Sequence, residues 1–134
     1  MAALKNLYLL LSIAILTTGC SLLAVSYFDS NEQSVLTTLV QLSQNKRVCI
    51  DSVTATNTVK VLNTQAEWLK IYGASIPYNV QMQIMALQLW QATNELQTRY
   101  AQESPPGRVY CELKLDNVHK LADIMHGVSA RRPR

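Results

Sequence analysis

An apolar run from Leu7 to Leu16, closed by Thr17-Thr18-Gly19-Cys20, removes the first two dozen residues from any soluble core. Lys5 ahead of it supplies the positive charge of an export signal, and Gly19 the small residue that a signal peptidase needs. Of the 134 residues, about a hundred then remain to fold. A chain of that size buries roughly two-thirds of its unfolded surface, enough for one modest core. The net charge of +3 comes from 12 basic and 9 acidic side chains, and Arg131, Arg132 and Arg134 cluster at the end. The body is therefore near neutral, which excludes a nucleic-acid binder living on phosphate contacts. After Phe28 no apolar run approaches the length that spans a bilayer.

Small residues followed by Cys20 resemble the lipidation box of bacterial lipoproteins, with Thr17 where that box usually has Leu. The resemblance implies diacylglycerol on the Cys20 thiol, cleavage before it, and anchoring by two or three acyl chains. Ser21 in the next position, rather than Asp, points to the outer membrane. A second reading is an uncleaved signal anchor, because Leu22, Leu23, Ala24, Val25, Tyr27 and Phe28 prolong the run to spanning length. Both place the domain outside the cytoplasm, since Lys5 favours an inside N-terminus. In that oxidising setting the remaining cysteines, Cys49 and Cys111, are expected to pair, with two buried free thiols as the alternative.

Apolar periodicity predicts four helices and no strands, hence a compact all-α bundle. The first opens at Ser30 as cap, carries Val35, Leu36, Leu39, Val40 and Leu42 inward, and ends near Lys46-Arg47. Asp51 to Thr58, rich in Ser and Thr, reads as a loop ending in an Asn57 or Thr58 cap. The second helix runs to Tyr72, stopped by Gly73, with Val59, Leu62, Ala66, Leu69 and Tyr72 on one face. The third starts near Tyr78, with Pro77 in its first turn, and reaches Gln102. Met82, Met85, Leu89, Thr93, Leu96 and Tyr100 make one stripe of it, and Ile84, Leu87 and Trp90 a second apolar side. Ser104-Pro105-Pro106-Gly107 breaks the chain, and the fourth helix follows from Arg108 to His126 with Val109, Leu113, Val118, Leu121 and Met125 inward.

Signatures of catalysis are missing: there is no phosphate loop, CxxC, HExxH or nucleophile elbow, and the carboxylates are scattered. No enzyme, cofactor or small-molecule substrate is expected. Asp116, His119, Asp123 and His126 share one face of the fourth helix, but ten helical residues span about 15 Å, too far for all to reach one ion. They read as a solvated face, with a metal site as the lesser alternative. The arginine tail reads as a frayed, solvated end, or as weak attraction to anionic headgroups or an acidic partner. Trp68, Met82, Met85 and Trp90 read either as plain core or as a groove for an amphipathic partner helix, completed by Leu36, Leu39, Leu62 and Leu89.

These features together resemble the pilotins of type II secretion, of the PulS/OutS kind. The likeness runs from the box at Cys20 through Asn45-Lys46-Arg47-Val48-Cys49, Thr58-Val59-Lys60-Val61-Leu62 and Trp68. It is closest in Leu96-Gln97-Thr98-Arg99-Tyr100 and Ser104-Pro105-Pro106-Gly107-Arg108-Val109-Tyr110-Cys111. The apolar stretch after Cys20, a longer link between helices two and three, and the basic tail depart from the family pattern. The resemblance implies a signal peptide over 1–19, a lipidated tether over 20–33, a four-helix domain over 34–126 and a basic tail over 127–134. It implies an outer-membrane lipoprotein on the periplasmic face whose groove takes the C-terminal segment of a secretin subunit as a helix. A structural lipoprotein subunit of a conjugation or secretion apparatus is the alternative, and a periplasmic metal binder the remotest one.

Overall fold

The computed structural model describes residues 25–134, so the expected signal segment and Cys20 lie outside the described residues. Four helices follow in order: α1 (Ser30–Gln44), α2 (Ser52–Ser75), α3 (Val80–Tyr100) and α4 (Arg108–Ala130), with a 3-10 turn at Lys46–Ile50 between the first two. No strand occurs among the described residues. Cross-helix bonds set the topology. Thr37 meets His126, Ser43 meets His119 and Lys46 meets Asp116, so α4 descends as α1 rises. Thr93 on α3 donates to Asn63 on α2 at 3.1 Å, and Lys114 on α4 reaches Glu95 on α3 at 2.7 Å. Neighbouring helices are thus antiparallel around a square, an up-down-up-down bundle, with α2–α3 and α1–α4 the closest pairs.

Buried positions recur at spacings of three and four on every helix, as one inward stripe demands. On α2 the stripe is Ala55, Val59, Leu62, Ala66, Leu69 and Gly73, with buried Asn63 beside it, and on α3 Met82, Ala86, Leu89, Thr93, Leu96 and Tyr100. The expected stripes of these two helices are therefore the core stripes, with Tyr72 and Met85 at their half-buried margins.

On α4 the expected face is right at Val118 and Met125, half-buried at Leu121, and wrong in the first turns. Val109 and Leu113 are 81% and 60% exposed, while Cys111, Leu115, Val118, Ala122, Met125 and Ser129 face inward. The inward stripe is one continuous run at spacings of four and three, and Cys111, bonded to Cys49 with the two Cα atoms 5.7 Å apart, is its first member. Residues two positions away in a helix of 3.6 residues per turn lie about 200° around the axis, hence outside.

Helix ends also differ from expectation, and each difference has a local reason. Asp29, not Ser30, caps α1, its Oδ1 accepting from the Glu32 amide at 2.8 Å. The same carboxylate accepts from the Tyr72 hydroxyl at 3.0 Å, tying α1 to α2. Replacing Asp29 with Ala should lower unfolding free energy by about 1 kcal/mol or slightly more; a urea melt indistinguishable from the parent's would deny it this capping role.

No loop spans Asp51 to Thr58. Asp51 caps α2 at once, accepting from the Thr54 amide at 2.8 Å. Within the helix Thr56 and Thr58 return their hydroxyls to the carbonyls of Ser52 and Thr54 at 2.8 and 2.9 Å, so the polar side chains are accommodated without a loop. Meanwhile Ala55 and Val59 provide the apolar face. The 20–33 stretch is likewise not all tether, since its last residues form the first turn of α1 and Glu32 is fully buried.

The α2–α3 connection holds the backbone exception. Tyr78 has φ 57, a left-handed value that costs an ordinary residue something, and it delays the start of α3 to Val80. What the turn gains is Asn79, aimed inward. Its Nδ2 donates to the Gly73 carbonyl and to Glu32 Oε2, both at 3.1 Å. Arg132 Nη2 donates to Asn79 Oδ1, and Arg132 Nη1 pairs with Glu32 Oε1 at 2.8 Å. The reading of the tail as frayed and solvated is overturned at this residue: the Arg132 side chain is 9% exposed and that of Glu32 is 1%. Helix α4 runs four residues past the expected His126, buries Ser129, and delivers Arg132 to a carboxylate one hundred residues away in sequence. Phe28 N–H donates to the Pro133 carbonyl at 2.8 Å and closes the same end.

Candidate functional site

Five of the eight side chains expected to line a groove are interior. Leu36, Leu39, Leu62, Leu89 and Met82 all lie within the core cluster, facing one another across the square. The four leucines open on no furrow, because the three-and-four spacing that marked them is the spacing of the stripe the bundle uses for itself, whereas Met82 borders a cleft beside Tyr78 and Arg132. Met85 and Trp90 are half-buried against that core, and Trp68 is exposed.

The tryptophans are nonetheless surface features. Trp68 stacks on Tyr72 within α2, ring centroids 4.3 Å apart and planes within 15°. Lys70 Nζ lies 3.4 Å from the centre of the Trp90 ring, so a cation from α2 covers an aromatic face of α3. Around them is an apolar surface that the core does not consume. Val80, Ile84 and Leu87 are exposed on α3 at spacings of four and three, hence on one face, and Ile71 is exposed on α2. Asn79 and Gln83 both reach the Gly73 carbonyl, so the last turns of α2 and the first turns of α3 are neighbours. These exposed groups therefore share one region of the α2–α3 pair. Ile71 and Val80 escaped the sequence reading. Ile84 and Leu87 were legible there, as the second apolar side of a helix with more apolar surface than one core stripe needs.

Hollows are found at one end of the bundle. Two clefts of about 360 Å³ each flank Tyr78 and Val25 at the end of the bundle where Arg132 docks.

The acid–imidazole face of α4 does something other than pair with itself. His119 Nδ1 lies 3.5 Å from Ser43 Oγ, and His126 Nε2 lies 3.2 Å from Thr37 Oγ1, both across the α1–α4 seam. Asp116 is held at 3.0 Å by both Lys120 and Lys46, whose hydrogen bonds, that of Lys120 foremost, keep its carboxyl below the usual range. Among the described residues no three His, Cys, Asp or Glu side chains converge as a metal site would require. No helix among them is long and apolar enough to cross a membrane.

Compared with known proteins, the chain matches no family model, no curated protein and no solved structure.

Proposed function

We propose that this chain is a pilotin-like lipoprotein: acylated Cys20 holds it at the periplasmic face of the outer membrane, and its bundle binds the C-terminal segment of a secretin subunit. The observation that carries this reading is the apolar surplus on α2–α3, where Ile71, Val80, Ile84 and Leu87 stay exposed beside a core already filled without them. The disulfide supports it as well, since such bonds persist in oxidising compartments. The expected groove residues mostly build the core, so the reading moves the docking surface outward to this stripe, flanked by Trp68 and Trp90. An amphipathic helix with apolar groups at i, i+3 or i+4 and i+7 matches a stripe with the same spacing. A segment disordered before binding loses part of its interaction energy to ordering, which suits an escort that must release its cargo.

Calorimetry of the protein with a peptide from the secretin C-terminus is expected to show saturable binding. Leu87→Glu, at an exposed position that leaves the core intact, should weaken it at least tenfold, as expected if a buried leucine contributes about 1.5–3 kcal/mol. Absence of heat with the parent protein rejects the secretin reading, and full affinity in the variant rejects this surface.

A further inference from the structure

We infer that the end of the bundle carrying Tyr27, Tyr78, Arg131 and Arg134 is a seat that rests on anionic phospholipid headgroups. The inference rests on the N-terminal anchoring proposed above and adds an orientation to it. Val25 lies five residues after Cys20. A fully extended chain spans about 3.5 Å per residue, so roughly 18 Å is the furthest this end can stand from an acylated Cys20. The opposite end, with the disulfide and Tyr110, is a helix length away, about 30 Å for the 21 residues of α3.

The chemistry of the near end suits that position. Val25, Tyr27, Tyr78 and Val80 are exposed there. Tyrosine, with an apolar ring and a polar tip, favours the headgroup level of a bilayer. Charge points the same way. Both nearby carboxylates are occupied internally, Glu32 by Arg132 and Asp29 by the Glu32 amide and the Tyr72 hydroxyl. Arg131 and Arg134 make no ion pair among the described residues. Arg134 lies 5.0 Å over the Phe28 ring, and Arg131 Nε donates to the Gly127 carbonyl at 2.9 Å, so both are fixed to this end. At the far end Lys46 pairs with Asp116, Arg108 with Glu112 and Lys114 with Glu95, and Arg47 and Arg99, which make no ion pair among the described residues, are offset by Asp51 and Glu103, which make none either. The clefts beside Tyr78, about 360 Å³ each, offer space into which headgroups can settle.

The test uses the full chain labelled with 3-fluorotyrosine, its signals assigned by Tyr→Phe variants. The protein is added to phosphatidylglycerol-containing vesicles doped with a lipid bearing a nitroxide at its headgroup. The fluorine signals of Tyr27 and Tyr78 are expected to broaden severalfold more than that of Tyr110. The contrast should fall by at least half in Arg131→Gln/Arg134→Gln and in phosphatidylcholine vesicles. Equal broadening of all tyrosines overturns the orientation. A contrast that persists unchanged in the double variant and in neutral lipid means that the tether alone sets the distance, and overturns the seat. Protein left in the supernatant refutes the anchoring and the seat together.

Discussion

Breaking the Cys49–Cys111 bond should lower the unfolding free energy by about 4 kcal/mol and the midpoint of thermal unfolding by about 15 °C. The bond closes a loop with a sequence separation of 62, and the cost of closing so long a loop in the unfolded chain is what the cross-link removes. It joins the 3-10 turn after α1 to the first turn of α4, elements that otherwise meet only through the Lys46–Asp116 pair and side-chain packing. For a bundle of this size the loss is a large part of the total stability. Urea and thermal melts of the Cys49→Ala/Cys111→Ala variant, and of the parent with and without reductant, measure the loss. A reduced protein that melts within 3 °C of the oxidised one contradicts it.

Removing Arg132 should destabilise the protein by about 3–5 kcal/mol, because the Glu32 carboxylate then remains buried without its counter-charge. An exposed ion pair is worth far less, typically under about 1 kcal/mol, so the size of the effect separates a docked tail from a solvated one. Removing both charges tests the mechanism. Glu32→Leu with Arg132→Met should recover at least half of the loss, since paired replacement of buried ions by apolar groups is often near neutral. Asn79 keeps its bond to the Gly73 carbonyl in that background. Chemical denaturation of the single and double variants closes the cycle. If Arg132→Ala costs less than about 1 kcal/mol, the C-terminal residues are solvated in solution.

The existence of four helices was written in the apolar spacing, and so were the inward faces of α2 and α3. The break at Ser104-Pro105-Pro106-Gly107 was equally plain, and α4 starts at Arg108 directly after it. The Ser/Thr-rich start of α2 was misjudged because side-chain composition favours a loop there, whereas Thr56 and Thr58 hide their hydroxyls on the helix itself. For the candidate site the sequence was a poor guide in one respect: it marked Leu36, Leu62 and Met82 as groove residues when the same periodicity serves a core. It was a better guide in another, because the second apolar side of α3 reappears as the exposed Ile84 and Leu87.

Alone, the sequence determined what is local: that the domain folds into four helices, that Ser104-Pro105-Pro106-Gly107 separates the last two, and that two cysteines in the domain were available to pair. Only the tertiary structure decided how each helix turns about its axis and what its ends hold. The first turns of α4 offered two apolar sides, Val109 with Leu113 or Cys111 with Leu115, and contacts distant in the chain, the bond to Cys49 among them, put the second inward. The Glu32–Arg132–Asn79 cluster belongs to the same class. A buried charge is stable only against a partner, and that partner came from the far end of the chain, where no spacing rule could reach it.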